Sequence, residues 1–432
     1  MKTVVIADDL TGACDTGVQF AGLGLNVSLW LDPNGDAHPD AGHEVIVLDT
    51  DSRASDPAEA YRRTAAAARF AKGLGADCVY KKLDSTLRGN LGAELDAVYD
   101  ELQPDFVLAA PAYPKMGRTV KEGRLYVHGI PLHETEFARD PRTPVRSSVI
   151  ADILRGQTQR DSGLVPAALW RDGGGEAESL LRSFARRGIR YLIADAEEDG
   201  DLARMAEVLS RLPYAIVWAG SAGLAGELPI RRPESRGGFE LPAADGPVLA
   251  VVGSVHPSAR RQLALLLERE DVRGIPLVSS RLLFPGRERE EQVASAAGQA
   301  ARILGEGHHA VLFSAADPEE IRRTQEAGRC GGMDDRAAGA AIAEAIGEAA
   351  ARVAGLVRVG RLILTGGDTA RHVSTSLGAS EIQLLGEVES GVPIGLLRTG
   401  HPLTVVTKAG GFGTDGVLVR ALEYGRGERR NL

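Results

Sequence analysis

The chain has few cysteines and no apolar run long enough to cross a membrane. Its 432 residues include only Cys14, Cys78 and Cys330. An odd number of widely spaced cysteines excludes a disulfide framework and a zinc-binding spacing. No apolar run approaches the roughly 18 residues of a membrane span, and the first residues lack the apolar segment of a secretory signal. We therefore expect a cytoplasmic protein with no membrane role.

Positive charge is also scarce. The chain carries 50 Lys and Arg against 59 Asp and Glu, a formal net charge of −9 with a pI near 5.6. Binding to nucleic acid needs a basic face that neutralises phosphates, so this balance argues against a nucleic-acid partner. A small anionic substrate stays compatible with the composition wherever Lys and Arg gather locally.

The common motifs for nucleotide and metal binding are absent as well. There is no GxxxxGK[ST] motif, which excludes an ordinary P-loop, and no GxGxxG lies between a predicted strand and a predicted helix, so no dinucleotide-binding fingerprint is indicated. There is no HExxH, CxxC or clustered spacing of His and acidic residues, so no protein-bound transition metal is indicated. The sequence leaves any metal ligands unassigned.

What the sequence does contain is an alternation of short apolar runs with Ala- and Leu-rich amphipathic stretches, which is typical of βα units with parallel strands. It predicts helices at 57–72, 91–102 and 335–357. It predicts strands at 3–7, 27–31, 45–48, 78–81, 106–110, 191–194 and 215–218, and then at 248–252, 310–313, 362–364 and 403–407.

This pattern predicts two α/β domains with mainly parallel sheets, because 432 residues exceed one ordinary core. Residues 229–247 are polar and rich in Pro and Gly, which indicates a linker. We place the first domain at residues 1–232, the linker at 233–245 and the second domain at 246–432. We expect a ligand cleft between the domains. The oligomeric state stays open, with a homodimer among the alternatives.

Two carboxylates, Asp8 and Asp9, directly follow the first apolar run. Ligands of open α/β sheets gather outside the carboxyl ends of parallel strands, so these acids stand where a substrate or a metal would be held. The alternative interpretation is that Asp9 or Thr11 only caps the following helix.

The segment 80–92, YKKLDSTLRGNLG, lies between a predicted strand and a predicted helix and is dense in polar side chains. Arg88 offers a planar fork suited to a carboxylate and Lys82 a mobile positive charge, while Asp84 and Asn90 can hold hydroxyls or fix the loop. Alternatively, Asp84 is a turn residue and Arg88 forms a surface ion pair.

Residues 111–145 show little regular periodicity, and a helix is expected around Ser148. Irregular stretches of this length inside a domain are often functional. For His133 taken alone, a structural role is the simpler interpretation. The polar side chains suited to wrapping a small polyol are Arg118, Thr119, His133, Thr135, Glu136 and Asp140.

Three predicted strands of the second half end in small residues before a helix. Such turns expose backbone N–H groups at a helix N-terminus, and glycine lets a phosphate approach closely. A single turn of this kind is commonly a packing device, but three in one domain indicate a nucleotide pocket. They are formed by Gly253 and Ser254, by Gly366, Gly367, Asp368 and Thr369, and by Lys408, Gly410 and Gly411.

Five segments follow one another over nearly the whole chain: ADDLTGACDTG, YKKLDSTLRGN, PLHETEFARDP, TGGDTA and KAGGFG. In these motifs the sequence resembles the four-carbon acid sugar kinases, a family of bacterial two-domain proteins. The resemblance implies an acid-sugar-binding domain followed by an ATP-binding domain. It also implies phosphorylation of the terminal hydroxyl of threonate, erythronate or an oxo-tetronate in carbohydrate catabolism. The segment GACDTGVQF is more similar to the threonate-directed members.

The resemblance also implies roles for individual residues. The sugar acid is expected on Asp9, Lys82 and Arg88, with Asp84 in the same motif. ATP is expected on Ser254, on the turn from Gly366 to Thr369, and on Gly410 with its neighbours Lys408 and Gly411.

Phosphoryl transfer needs positioning and neutralisation of charge more than covalent chemistry. We therefore expect Asp9 to align the terminal hydroxyl, the Gly366 and Gly367 amides to hold the γ-phosphate, and Mg²⁺ to serve as cofactor. Asp368 is the candidate catalytic residue, which orients Mg²⁺ or accepts the hydroxyl proton, and Lys408 offsets phosphate charge. A helix cap is the alternative role of Asp368.

Two other functions are compatible with parts of this pattern. A Mg²⁺-dependent phosphohydrolase would use Asp8 or Asp9 as its nucleophile, but it leaves the glycine turns of the second half unused. A non-catalytic sensor of a sugar acid and a nucleotide would have no need for the acid at Asp368.

Overall fold

The computed structural model describes residues 2–31, 42–140, 143–230, 246–314 and 317–425. These residues form two compact units, called here unit 1 (2–230) and unit 2 (246–425). The predicted linker at 233–245 lies outside the described residues. Within the described ranges, no helix has both the length and the apolar character that crossing a membrane requires.

Unit 1 is built on a sheet of parallel strands. The strands are β1 (Thr3–Ala7), β2 (Val27–Trp30), β3 (Val45–Asp49), β4 (Cys78–Lys82), β5 (Phe106–Ala110), β9 (Ser162–Val165), β10 (Tyr191–Ala194) and β11 (Ile216–Gly220). They lie in the order β2-β3-β1-β4-β11-β5-β10-β9, and each neighbouring pair is parallel. Of these strands, β1, β2, β3, β5 and β10 are buried on both faces.

The remaining elements of unit 1 are helices and a small antiparallel sheet. The sheet consists of β6 (Arg118–Lys121), β7 (Arg124–Val127) and β8 (Ile130–Pro131). Asp9 caps the first helix and Asp56 the second, in each case by accepting a backbone N–H. The helices are α1 (Leu10–Gly22), α2 (Pro57–Gly73), α3 (Leu91–Leu102), α4 (Ile150–Arg155), α5 (Ala168–Arg171), α6 (Gly175–Arg186), α7 (Asp199–Ser210) and α8 (Ala222–Ala225).

Unit 2 has its own sheet, formed by β12 (Val248–Val252), β13 (Val272–Leu277), β14 (His309–Ser314), β15 (Arg361–Thr365), β16 (Glu381–Glu389), β17 (Val392–Arg398) and β18 (Leu403–Lys408). The order is β13-β14-β12-β15-β18-β17-β16. The first five strands are parallel, whereas β17 is antiparallel to both β18 and β16. The helices are α9 (Pro257–Leu267), α10 (Arg287–Gly305), α11 (Pro318–Cys330), α12 (Asp335–Leu356), α13 (Gly367–Ser376) and α14 (Val417–Glu423).

The first strand of each unit occupies the same position in its sheet. In unit 1, β1 lies between β3 and β4, and in unit 2, β12 lies between β14 and β15. The chain therefore passes from one side of the first strand to the other, which makes a topological switch point at its carboxyl end. Open α/β sheets hold their ligands at such points.

The predicted class, α/β with mainly parallel sheets in two domains, is confirmed, and every predicted strand is present within a few residues of its predicted bounds. The prediction of an irregular stretch at 111–145 is wrong, because this segment contains β6, β7 and β8. The helix expected around Ser148 is α4, which begins at Ile150. Four further strands were not predicted from the sequence: β9, β13, β16 and β17.

Candidate functional site

The Arg53 guanidinium joins the two carboxylates that follow β1. Its Nε and Nη2 atoms donate to the two oxygens of Asp8 at 2.7 and 2.8 Å, and Nη1 donates to Asp9 Oδ2 at 2.8 Å. The other oxygen of Asp9 accepts the Gly12 N–H at 2.9 Å. Asp9 is thus a helix cap and, at the same time, a member of a charged cluster at the switch point of unit 1.

Burial and the adjacent cations act in opposite directions on these two carboxyl groups. Burial raises the pKa of Asp8, but Arg53, Lys81 and Lys82 outweigh burial and leave this pKa lowered. Burial, together with the Asp8 charge, raises the pKa of Asp9 in spite of Arg53. Asp8 is therefore held as a carboxylate, and Asp9 is the member of the pair that takes up a proton more readily.

A buried ion pair ties the segment that carries Arg53 to the end of β4. The Lys81 Nζ atom lies 2.8 Å from Glu94 Oε2, with side chains 0% and 3% exposed. Ser52 Oγ donates to Glu94 Oε1 at 2.6 Å, and Lys81 Nζ also donates to the Lys82 carbonyl oxygen at 2.9 Å. Glu94 of α3 thus anchors Ser52, the residue directly before Arg53, to β4.

Lys82 ends β4 close to Asp9. Its Nζ atom donates to the Leu83 carbonyl oxygen at 2.7 Å, and its side chain is buried. A Cβ atom added at Gly12 would lie 2.6 Å from Asp9 Oδ1 and 3.3 Å from Lys82 Nζ. The glycine therefore leaves room for both charged groups beside the first turn of α1.

The Arg88 guanidinium is already shared by two aspartates. Its Nε atom donates to Asp84 Oδ2 at 2.7 Å, and its Nη1 atom lies 3.3 Å from Asp140 Oδ2. The guanidinium also lies 5.4 Å from the centre of the Phe137 ring. The ion pair and the fixed loop that were weighed from the sequence are therefore both present.

Asp84 is strongly stabilised as a carboxylate. Burial raises its pKa, but the guanidinium groups of Arg88 and Arg53 outweigh burial and hold the pKa of Asp84 well below its usual range. The Thr86 hydroxyl donates to the same carboxylate at 2.5 Å. Asp84 is thus more than a turn residue, because it holds the loop between β4 and α3 around its charge.

The polar residues of the 111–145 segment divide into two groups. His133 Nδ1 lies 2.7 Å from Ser148 Oγ, and the Thr135 hydroxyl donates to a carbonyl oxygen three residues earlier, so both have structural partners. Thr119 lies opposite Tyr126 in the small sheet. Two residues belong with the charged cluster instead: Asp140, through Arg88, and Arg118, whose pKa responds to the charges of Asp84, Glu136 and Arg88.

Sequence reasoning missed two members of this cluster, Arg53 and Glu94. Arg53 follows β3 in the polar run DTDSR, and β3 is the sheet neighbour of β1. Its position after a strand was a usable signal, but only the strand order places it beside Asp8. Glu94 lies inside α3, where nothing in the sequence distinguishes it from a surface acid.

The three glycine-containing turns of unit 2 meet at one edge of its sheet. A Cβ atom added at Gly253, after β12, would lie 2.0 Å from Thr369 Oγ1. One added at Gly410, after β18, would lie 2.2 Å from Ser254 Oγ, and one at Gly366, after β15, 3.4 Å from Thr369 Oγ1. The structure therefore brings together Ser254, Thr369 and the glycines that the sequence singled out.

The helix that follows β15 opens at this edge. Gly366 is the N-cap of α13 with φ 103°, a backbone conformation that favours glycine. Gly366 has no side chain with which to cap α13, and the N–H groups of a helix's first turn suit an anion. Gly367 and Asp368 lie in the first turn, and Asp368 is exposed. The N-cap role weighed for Asp368 thus belongs to Gly366.

Lys408 ends β18 with its side chain buried. Its Nζ atom donates to the carbonyl oxygens of Ala409 at 2.7 Å and Gly410 at 3.2 Å. Burial lowers the pKa of Lys408 to about 7, and the charge of Glu389 opposes burial only in part. A neighbouring anion would restore the positive charge of this lysine.

The loop after β18 is held in place by α9. The Gln262 side-chain amide lies 3.0–3.1 Å from the carbonyl oxygens of Phe412, Gly413 and Thr414. Earlier in the loop, a Cβ atom at Gly411 would lie 3.3 Å from the His256 ring. The third turn therefore has a fixed backbone conformation next to the first.

Among the described residues, no group of three or more His, Cys, Asp or Glu side chains is placed to hold a metal ion. Mg²⁺ at phosphoryl-transfer sites keeps several waters and binds through phosphates and one or two carboxylates. Asp368 is an exposed carboxylate beside the glycine turns. The residues present therefore fit a Mg²⁺ ion that arrives with a nucleotide.

Two family models match the chain. A sugar-binding N-terminal domain matches residues 3–228, and a nucleotide-binding C-terminal domain matches residues 249–418. Each match falls on one of the two units, and together they cover most of the chain.

Curated relatives match over nearly their whole length. A D-threonate kinase of Salmonella typhimurium is 35% identical, covering 98% of this chain and 98% of the relative. A D-erythronate kinase of Heliobacterium modesticaldum is 34% identical, covering 98% and 97%. A solved structure from Salmonella typhimurium LT2 is similar with a TM-score of 0.80 and 26% identity, covering 97% of this chain and 98% of that one.

Proposed function

Since the chain belongs to the four-carbon acid sugar kinase family, we propose that it uses ATP to phosphorylate the terminal (4-) hydroxyl of a four-carbon acid sugar, with Mg²⁺ as cofactor. Membership makes the chain a kinase of small acid sugars. What is proposed beyond membership is the hydroxyl that is phosphorylated, ATP as the phosphate donor, Mg²⁺ as the ion, and the residues that bind them. The candidate acids are D-threonate, D-erythronate and 3-oxo-tetronate.

The convergence of three turns in unit 2 carries the proposal that this unit binds ATP. A Cβ atom at Gly253 or Gly410 would collide with the Thr369 or Ser254 hydroxyl oxygen, so glycine allows these turns to pack closely around both hydroxyl groups. The N-terminus of α13 lies beside these turns, where its first N–H groups and partial positive charge favour phosphate oxygens. The nucleotide phosphates would lie on these turns, with the γ-phosphate on the Gly366 and Gly367 amides.

The charged cluster of unit 1 supports binding of the acid sugar at the carboxyl end of β1. Asp9, Lys82, Asp84 and Arg88 are gathered there, and Arg53 joins them. Carboxylates that are already fixed by arginines accept hydrogen bonds from hydroxyl groups without first having to be ordered. Asp9, whose pKa is raised, is placed to orient the hydroxyl that attacks.

Asp368 is the candidate for direct participation in phosphoryl transfer. It lies one residue beyond Gly367 and is exposed at the opening of α13. There its carboxylate orients Mg²⁺ or accepts the hydroxyl proton, and the bound ion would neutralise phosphate charge. Lys408 adds positive charge from β18 once the phosphates are bound.

No observation favours the phosphohydrolase or the sensor. A nucleophilic aspartate attacks phosphorus through one of its oxygens. The hydrogen bonds from Arg53 and Gly12 weaken Asp8 and Asp9 as nucleophiles, although their oxygens can still accept a hydrogen bond from a hydroxyl group. A non-catalytic sensor is also disfavoured because the relatives of this chain are named as kinases.

The experiment that tests the proposal is a coupled ADP-release assay on the full chain with ATP and Mg²⁺. Each stereoisomer of threonate and erythronate, and the 3-oxo acid, is tested separately. We expect ADP release with at least one four-carbon acid, with threonate first because of the segment GACDTGVQF. Release of phosphate from a phosphorylated acid without ATP, or activity on no acid, would contradict the proposal.

A further inference from the structure

Arg118 differs from the other arginines of the unit 1 cluster in its partners. Arg53 is shared by Asp8 and Asp9, and Arg88 is shared by Asp84 and Asp140. Arg118 forms no ion pair with a described carboxylate. Its Nη1 atom donates to the Met116 carbonyl oxygen, and its buried Nε atom has no acceptor among the described residues.

The backbone places Arg118 at the same edge of the sheet as that cluster. It is the first residue of β6, and its N–H and C=O groups pair with those of Tyr113, three residues beyond the end of β5. In the sheet, β5 is separated from β4 only by β11. The charges of Asp84, Glu136 and Arg88 are near enough to influence Arg118.

An unpaired guanidinium in a largely buried position is unfavourable by itself. Burial lowers the pKa of Arg118 and exceeds the opposing effect of the surrounding acids. A ligand carboxylate would supply both the missing charge and an acceptor for the planar fork. Arg53 and Arg88 gain less from such a ligand, because aspartates already occupy their N–H groups.

We propose that Arg118 binds the carboxylate of the acid sugar and so makes the site selective for acids over neutral polyols. This inference rests on the proposed function and assigns one part of its substrate to one residue. Lys82, buried beside Asp9, adds a second positive charge to the same end of the substrate. Arg53 and Arg88 then serve to hold the aspartates that contact hydroxyl groups.

The test compares a four-carbon acid with the neutral polyol of the same configuration, threonate with threitol or erythronate with erythritol. ADP release is measured at saturating ATP for wild type, Arg118→Gln and Arg118→Lys. The matched control is Arg124→Gln, because Arg124 is an exposed arginine of the same small sheet. Thermal melting of each variant reports folding.

Loss of a charge-assisted pair predicts a KM for the acid that is roughly 10- to 100-fold higher in Arg118→Gln. The kcat/KM for the polyol should change by less than about twofold, so that the preference for acids collapses. Arg118→Lys keeps the charge but not the fork, and we expect an intermediate KM for the acid. Because Arg118 has no acidic partner to leave behind, Arg118→Gln should melt no earlier than Arg124→Gln.

Two results would overturn the inference. One is a KM for the acid in Arg118→Gln that equals the value in Arg124→Gln. The other is an equal loss of activity on acid and polyol, which indicates a structural role. Should Arg118→Gln fail to fold, a wild-type KM in Arg118→Lys would be the contradicting result. A wild-type enzyme that releases no ADP with any four-carbon acid contradicts the proposed function instead, so the two failures are distinguishable.

Discussion

The two units carry different kinds of residues at the same position of a parallel sheet. β1 and β12 each end at a topological switch point between the strands on either side of them. After β1 come Asp8 and Asp9, which are bound to Arg53, and after β12 come Gly253 and Ser254, which pack against other turns. One edge is filled with paired charges, and the other is formed by closely packed glycine turns.

The difference follows from what each edge is proposed to bind. A small polyhydroxy acid presents hydroxyl groups in specific directions, which fixed carboxylate and guanidinium side chains can match. A chain of phosphates presents diffuse negative charge, for which helix N-termini and glycine turns suffice. On this proposal, specificity for the acceptor depends on side chains in unit 1, and affinity for the donor depends on the backbone in unit 2.

The largest effect is expected from Asp368, the side chain of unit 2 that is proposed to act in the reaction itself. Asp368→Asn removes the charge that orients Mg²⁺ or accepts a proton, and kcat should fall by about 10²- to 10⁴-fold. Asp335→Asn, in the first turn of α12, is the control. Full turnover of Asp368→Asn with an unchanged dependence on Mg²⁺ concentration would remove Asp368 from the mechanism.

Removing Arg53 tests the paired charges of unit 1. Arg53→Met leaves Asp8 and Asp9 without their guanidinium in a site where Asp8 is 4% exposed. The free energy of unfolding should fall by about 3–5 kcal/mol, because a buried charge loses its partner. Arg62→Met, whose side chain is 72% exposed in an ion pair with Glu59, should cost under about 1 kcal/mol.

Chemical denaturation of the two variants gives this comparison. Equal stabilities for Arg53→Met and Arg62→Met would mean that the cluster around Asp8 does not depend on the guanidinium. Arg53→Lys keeps a charge but cannot bridge both aspartates, so it should fold and yet raise the KM for the acid.

The glycine turns of unit 2 are tested by adding one methyl group. A Cβ atom at Gly253 would lie 2.0 Å from Thr369 Oγ1, so Gly253→Ala must displace the turn. Such overpacking predicts a roughly 10- to 100-fold lower kcat/KM for ATP. Gly298→Ala in α10 is the control, since nothing lies within 4 Å of its added Cβ. Equal kinetics in the two variants would contradict a role for the Gly253 turn.

The smallest effect concerns protons taken up by Lys408. Its folded-state pKa of about 7 lies below the ordinary lysine value of about 10.4, so the unfolded chain binds more protons between these values. The lysine's contribution to stability therefore rises as the pH increases through that window. Phosphates next to Lys408 should raise its pKa, and ATP binding near pH 8 should take up a fraction of a proton.

Calorimetry in two buffers with different ionisation enthalpies measures this uptake. We expect a heat of ATP binding that depends on the buffer in the wild type and does not in Lys408→Met. A buffer-independent heat in the wild type would show that Lys408 does not respond to the nucleotide.

Most parallel strands were predictable from the sequence because strands buried on both faces form continuous apolar runs. The strands at 3–7 and 248–252 have their predicted bounds. The parallel strands β9 and β13 include exposed residues and were missed. The antiparallel pair β16 and β17 was also missed. It is half-buried at one end, and irregularities in its pairing near Gly386 and Glu387 break the two-residue alternation.

The candidate site was predictable where motifs follow strands, as with Asp9, Lys82 and Gly366. Partnerships between segments were not, because they depend on which strands are neighbours. Arg53 meets Asp8 only because β3 pairs with β1. The same limit applies to Arg88, whose ion pair with Asp140 joins residues 52 positions apart in the sequence.

The most direct test of the division between side-chain and backbone recognition is a calorimetric titration of ATP into the wild type, Arg53→Lys and Gly253→Ala. We expect Arg53→Lys to bind ATP with wild-type affinity while its KM for the acid rises, and Gly253→Ala to bind ATP more weakly. Normal ATP affinity in Gly253→Ala together with weakened ATP affinity in Arg53→Lys would contradict this division.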